Sequence, residues 1–345
     1  MSDRVGGTRR VLLTGSTGVV GTELCRALGS APVELVRVAR RPQGEGEIGW
    51  EIGVRPPPEE LRGPWDVVVH AAASTRWTMN AQEALDSNVR PLDAVLGLLT
   101  PETHLVHVST AYVGGSDDPY AKDEGFGRYR NGYEWSKARC EELVRERHRG
   151  PVTIVRPPLI LGRDDDGSIA RFSGPYTLLQ TLVSGLAAAV IGEPGGYAEV
   201  APVDLVADVI AEAVTGPPPE GLRVETIAGG GACMTLQTLL DVTCGTLNGW
   251  RAERGIPPVA VPPFISPRRW HRFFLPFAEQ HLSPIQLQAV RLLGMFESYT
   301  SMADPFEPTR QVTDPAATLA RSVLWWADAK PRLASRISEP WGLIA

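Results

Sequence analysis

Arg9-Arg10-Val11-Leu12-Leu13-Thr14-Gly15-Ser16-Thr17-Gly18-Val19-Val20-Gly21 is the stretch on which the reading of this 345-residue chain turns. Its first six residues have an unbroken apolar centre, which fits a strand covered on both faces, and the glycine-spaced run leads into a helix expected over 22–28. Glycine permits a tight turn and a close approach of main chain to ligand, while the N–H groups and dipole at a helix start favour an anion. Strand, glycine turn and helix in that order make a pyrophosphate cradle. Gly15, Ser16, Thr17, Gly18, Val19 and Gly21 are its candidate dinucleotide contacts.

The alternation continues outward from there. Val33 to Ala39 reads as a second strand, with Arg40-Arg41 where an acid would bond a ribose 2′-hydroxyl. A guanidinium at that place suits a 2′-phosphate, so Arg40 points to NADP(H). Residues 44–58 form a Gly/Pro-rich connection around a short strand at 48–52. Trp65 to Ala73 is an apolar strand ending in Ala71, Ala72 and Ala73, whose small side chains leave room for a flat ring or a diphosphate; His70 is read as packed at the strand end. A helix over 81–99 brings Asn88 to its inner side, and a strand over 103–108 ends in Ser109-Thr110. Hydroxyls there lie at the carboxyl edge, where open parallel sheets hold their ligands.

Tyr133-Glu134-Trp135-Ser136-Lys137 sets a phenol and an ammonium one helical turn apart on one face. A tyrosine is a poor acid–base group near neutrality, and a neighbouring ammonium is expected to bring its pKa down to a useful range. Only three of the 34 basic residues are lysines, which makes a chance pairing uncommon. Beyond Lys137 the helix is expected to turn a charged face outward (Glu141, Glu142, Arg145, Glu146), before a strand over 152–156 that Pro157-Pro158 ends.

Gly15-x-x-Gly18-x-x-Gly21, His70-Ala-Ala-Ala, Ser109-Thr110 and Tyr133-x-x-x-Lys137 together resemble the extended short-chain dehydrogenase/reductases in order and spacing. Within them the chain is most similar to the fatty-acyl and thioester reductase branch. Ser109-Thr-Ala-Tyr-Val113, Arg156-Pro-Pro-Leu-Ile-Leu-Gly162, Ile169-Ala-Arg-Phe-Ser-Gly-Pro-Tyr176, Ala201-Pro-Val-Asp-Leu-Val-Ala-Asp208 and Asp304-Pro-Phe-Glu-Pro-Thr-Arg310 carry that resemblance. It implies a doubly wound parallel sheet (Rossmann) over 1–160 and 201–229, with a smaller substrate-binding lid from 161–200 and 230–345. It also implies Thr110, Tyr133 and Lys137 as catalytic residues, Lys137 bonding the cofactor ribose as well. Pro158, Leu159 and Ile160 would lie beside the nicotinamide, and Asn88 would match the family's helix asparagine. The implied activity is NADPH-dependent hydride transfer to a carbonyl, most of all an acyl thioester; no carrier domain is fused in this sequence, so the acyl chain is expected to arrive on coenzyme A or a separate carrier protein. A free ketone or aldehyde fits the same motifs. A sugar-nucleotide epimerase or dehydratase would favour an acid where Arg40 stands, and a dinucleotide-sensing regulator has no need of the Tyr–Lys pair.

Bulk properties narrow the remainder. A net charge of -6 and a pI near 5.6, with arginines scattered among acids, give no nucleic-acid surface. Cys25, Cys140, Cys233 and Cys244 show neither disulfide nor zinc spacing, no leader sequence is apparent and no apolar run comfortably spans a bilayer, so a cytoplasmic protein is expected. The apolar run from 176 to 191 reads as a buried or substrate-lining helix, and Asp164-Asp165-Asp166 as a solvated turn with no metal. Trp270, Phe273, Phe274 and Phe277, among arginines, are read as core or as pocket wall.

Overall fold

The computed structural model describes residues 8–337, except 43, 45, 116–124, 186–188 and, within 284–301, all but 286, 287, 290, 294 and 299. The chain divides into two compact units, one of residues 1–157 with 204–227, the other of 158–203 with 228–345.

The first unit is built on a parallel sheet. Within this unit the strands of the sheet lie in the order Leu222–Ala228, Val152–Arg156, His104–Val108, Val67–His70, Arg9–Thr14, Val33–Ala39 and Glu47–Gly49. Every neighbouring pair is parallel, with Leu12 opposite both Val36 and Val68, and His70 opposite His107. The strand order reverses direction at Arg9–Thr14, which makes the sheet doubly wound and puts a crevice beyond the carboxyl ends of the central strands. Leu12, Val68, Leu105 and Ile154 are fully buried, each contributing roughly 1.5–3 kcal/mol of apolar burial. This explains why central strands here read as continuous apolar runs instead of alternating ones.

Two helices differ from their sequence reading for identifiable reasons. The first runs Val19–Ala27, earlier than 22–28, because the Gly18 N–H closes the turn on the Gly15 carbonyl at 3.0 Å and the Thr22 N–H bonds the Gly18 carbonyl at 2.9 Å. The expected helix over 81–99 is instead Ala81–Ala84, a wider π turn at Leu85–Val89, and Arg90–Leu96. Pro91 has no N–H to give to the residue four before it, so the ladder cannot pass through unaltered. The short strand expected at 48–52 is Glu47–Gly49.

In the second unit Leu159–Leu161 pairs in parallel with Val200–Pro202. Helices Pro175–Val183, Leu236–Ala252 and Pro315–Ala329 enclose a core that includes Tyr176, Leu240, Leu247, Val323 and Trp326. The run 176–191 is therefore not one helix. The helix stops at Val183, Gly185 follows at φ +72°, and Val190–Ile191 is a strand paired with Phe264–Ile265. Asp164 accepts from Thr318 at 2.5 Å and from Arg321 at 2.6 Å, while Asp165 pairs with Arg163. Among the described residues no helix is long and apolar enough to cross a membrane.

Candidate active site

The glycine turn carries the geometry an anion cradle needs. Gly15 has φ +78°, and a Cβ on it would come 2.6 Å from the Ala72 main-chain nitrogen, so only glycine fits between this turn and the Ala71–Ala72 segment. A Cβ on Gly21 would run into the Gly15 carbonyl. The turn is pinned to the second strand by the Gly15 N–H and the Ser16 hydroxyl, both donating to the Val38 carbonyl at 3.2 and 3.3 Å. The helix that follows starts at Gly18 without a side-chain cap and has no acid in its first turn. Its leading N–H groups and dipole are thus available to a diphosphate, and the chain fits a dinucleotide here. Past the end of the second strand, Arg40, Arg41, Trp50, Glu51, Arg55 and Pro56 are among the residues around a cavity of about 660 Å³. Three guanidinium groups against one carboxylate leave it cationic, and Arg41 and Arg55 join Arg40 there.

Thr110, Tyr133 and Lys137 converge within this unit. Thr110 follows the strand His104–Val108 and caps the short 3₁₀ turn Ala111–Gly114, its hydroxyl donating to the Pro157 carbonyl at 3.4 Å. The helix Gly132–Arg147 supplies the other two. Asn131 caps it, its side chain accepting from the Glu134 N–H at 3.0 Å, and Gly132 lies so close to the Met79 main chain that no side chain would fit. These two residues fix where the helix begins, and hence where Tyr133 projects. Lys137 lies one turn on, its Nζ 5.9 Å from the centroid of the Tyr133 ring and donating to the Val108 carbonyl at 2.7 Å.

The electrostatics differ from the sequence expectation. Burial pushes the Tyr133 phenol well above its ordinary range and the charge of Glu134 adds to this, while a hydrogen bond with Thr110 pulls the other way. Lys137 is not what tunes the phenol in this structure, its ammonium being engaged with a main-chain carbonyl and itself lowered in pKa by burial. The charged face expected beyond Lys137 needs a larger correction. Glu141 is 2% exposed, its carboxylate gripped by Arg156 at 2.9 and 2.6 Å and bonded by Arg145 and the Ser109 hydroxyl. Burial alone would raise its pKa, but bonds from Arg156, Ser109 and Arg145 hold it below the usual carboxylate range. This cluster ties the helix of Tyr133 and Lys137 to two strand ends, and sequence reading missed it. The signal was there in the spacing, since 133, 137 and 141 recur every four residues along one helix face.

Asn88 is buried in the π turn, where its side chain exchanges hydrogen bonds with the Ser74 main chain at 2.7 and 3.0 Å and donates to the Ser136 hydroxyl at 2.8 Å. His70 is buried with its Nδ1 2.9 Å from the Thr14 hydroxyl, and its ring stacks on His107 at 5.7 Å. Pro158, Leu159 and Ile160 belong to the second unit, while the other candidate site residues lie in the first.

Residues 58–210 match the model of an NAD-binding family described as male sterility protein. No curated protein matches the chain. Among solved structures, the terminal R domain from the myxalamid PKS-NRPS biosynthetic pathway is 19% identical with a TM-score of 0.70, covering 96% of this chain and 94% of that one. A thiolation-reductase di-domain from an archaeal non-ribosomal peptide synthetase is 17% identical with a TM-score of 0.64, over 95% of this chain and 76% of that one. UDP-glucose 4-epimerase from Bifidobacterium longum, in complex with NAD+ and UDP, is 14% identical with a TM-score of 0.61, over 93% and 99%. At such identities these likenesses establish the fold. With the family match over 58–210 and the fold together, the chain is similar to the extended short-chain dehydrogenase/reductases, and within them it resembles the thioester-reductase branch.

Proposed function

We propose that this protein is an NADPH-dependent reductase of acyl thioesters, presented on a carrier protein or coenzyme A, that yields the aldehyde or the alcohol. The observation that carries the reading is the meeting of the Thr110 hydroxyl and the Tyr133 phenol beside the buried Lys137 ammonium. Gly15, Ser16, Thr17, Gly18, Val19 and Gly21 hold the diphosphate, Ala71, Ala72 and Ala73 leave space beside it, and Arg40 meets the 2′-phosphate. Bound NADPH supplies the hydride.

The remaining chemistry falls to side chains. Thr110 and Tyr133 donate hydrogen bonds to the thioester carbonyl oxygen, which strengthen as negative charge gathers on it. Tyr133, which burial keeps protonated, then gives its proton to that oxygen. Lys137 has donors beyond the one held by Val108, which would bond the cofactor ribose. The hemithioacetal so formed collapses to aldehyde and free thiol. The match of residues 58–210 to the male sterility family model and the likeness to a thiolation-reductase di-domain support the thioester over a free ketone.

The test offers the purified protein NADPH with acyl-CoAs, carrier-bound acyl groups, aldehydes and ketones. NADPH consumption matched by free thiol is expected with the thioesters. Consumption with ketones alone would end the proposal.

A further inference from the structure

The aromatic cluster at 270–277 does not behave as core or pocket wall throughout. A helical stretch runs through Pro267–Arg269, a π turn at Trp270–Phe274, and Leu275–His281. Trp270, Phe274 and Ala278 pack inward with Ile191, Ile265 and Leu282. Phe273 and Phe277, one turn apart, are 64% and 57% exposed. Arg269 precedes Phe273 by one turn on the same ridge, Arg268 and Arg272 lie beside it, and all three are exposed. The Arg272 guanidinium sits 5.4 Å from the Phe273 ring centroid, and the His281 ring 4.5 Å from that of Phe277.

We propose that this ridge is a docking face for an acidic carrier protein bearing the acyl thioester, an inference that rests on the thioester reading above. Two solvent-facing phenylalanines framed by arginines have the composition of an interface centre, where aromatic residues and arginine are enriched. Charge selects the partner. Three arginines stand against one acid, Glu279, over 267–281, on a chain whose net charge is -6, so the patch is opposite in sign to the protein that carries it. An acidic helix would set carboxylates on Arg268, Arg269 and Arg272 and lay an apolar residue across Phe273 and Phe277. An anionic bilayer would meet the same local chemistry, but it would also face the negative charge of the whole chain.

The same acyl group is offered on the pantetheine arm of an acidic acyl carrier protein and on free pantetheine. Wild type is compared with the triple variant Arg268→Glu, Arg269→Glu, Arg272→Glu and with the pair Phe273→Ser, Phe277→Ser. Both variants should lose about tenfold or more in kcat/KM on the carrier-bound substrate, chiefly through KM, and stay within about twofold on free pantetheine. Equal loss on both substrates, or none on either, would overturn the docking face. If wild type reduces neither thioester, the proposed reaction is what fails. Titration of fluorescently labelled carrier then judges the face alone: binding lost in both variants supports it, and unchanged binding overturns it. Sedimentation with phosphatidylserine vesicles that the variants abolish, with carrier kinetics unaltered, would overturn it in favour of a membrane.

Discussion

Ser109 Oγ donates a 2.7 Å hydrogen bond to Glu141 Oε1, while its neighbour Thr110 turns its hydroxyl to the Pro157 carbonyl and the Tyr133 phenol. Two adjacent hydroxyls therefore have separate tasks: Ser109 braces a buried ion pair, and Thr110 is free to exchange a weak 3.4 Å bond for a substrate oxygen. Thr110→Ala should lower kcat by about 10²–10³, as loss of an oxyanion donor does. Ser109→Ala should leave kcat within about twofold and cost about 1 kcal/mol of stability, since Arg156 and Arg145 still hold Glu141. Steady-state kinetics with thermal unfolding of both variants checks this, and the opposite ranking would move the catalytic hydroxyl to Ser109.

Tyr133→Phe should remove nearly all reduction and leave NADPH affinity within a few-fold, because the phenol gives a proton without holding the cofactor. The raised pKa adds a second expectation. A phenol kept protonated well above its ordinary range does not lose its proton in mildly alkaline buffer, so kcat/KM for reduction should not fall through Tyr133 ionisation below about pH 10. Normal turnover in the phenylalanine variant would refute the assignment.

How far these features were legible from sequence depends on whether their cause is local. The strand, glycine turn and helix at 9–27 could be read because tight turns and apolar runs are short-range properties, and the doubly wound sheet came as what the resemblance of these motifs implies. The break at Pro91 was also local, and the helical pattern around it masked it. Glu141 could not be placed so simply. In sequence it joins a charged helix face, and only packing against the strands that end at Ser109 and Arg156 turns it inward. The direction of the Tyr133 shift was hidden for the same reason, since the desolvation that outweighs a nearby ammonium comes from elements distant in sequence. Phe273 and Phe277 mislead in the other direction, because composition says apolar and the fold leaves them in water.

The buried histidines predict acid lability. Burial and the Lys137 charge lower His70 to about 3, burial foremost lowers His104 to about 4, and His107 is lowered well below its ordinary value by burial, Lys137 and His70. Each folded-state pKa lies below the unfolded value near 6.5, so between the two the unfolded chain binds more protons. Stability is present above pH 6.5 and is lost as pH falls from there towards 3, at up to about 1.4 kcal/mol per pH unit for each histidine. Neither ring nitrogen of His107 has a hydrogen-bond partner among the described residues. His107→Leu should therefore hold or gain stability at neutral pH and flatten the acid slope, since it removes a buried polar ring that satisfies nothing. Denaturant unfolding at a series of pH values measures both, and an unchanged slope would mean that His107 is protonated in the fold.

Arg40 bears on cofactor choice, and the surrounding cavity makes its prediction specific. Arg40 and Arg55 reach the same space of about 660 Å³ from different segments, Arg40 from the end of the second strand and Arg55 from beyond Trp50, whose indole N–H donates to the Arg55 carbonyl at 2.9 Å and fixes that backbone. The Arg55 side chain is 77% exposed and only loosely paired with Glu51 at 3.7 Å, so it can turn to a phosphate at little cost. A 2′-phosphate held by Arg40 should make Arg40→Ala raise the Kd for NADPH by about tenfold or more and that for NADH by no more than about twofold, because NADH has nothing there to lose. Arg55→Ala should act in the same direction and more weakly, and high salt should compress both differences because the contacts are solvent-exposed. Fluorescence titration of the two nucleotides against each variant makes the comparison, and an equal loss for NADPH and NADH would put the 2′-phosphate outside this cavity.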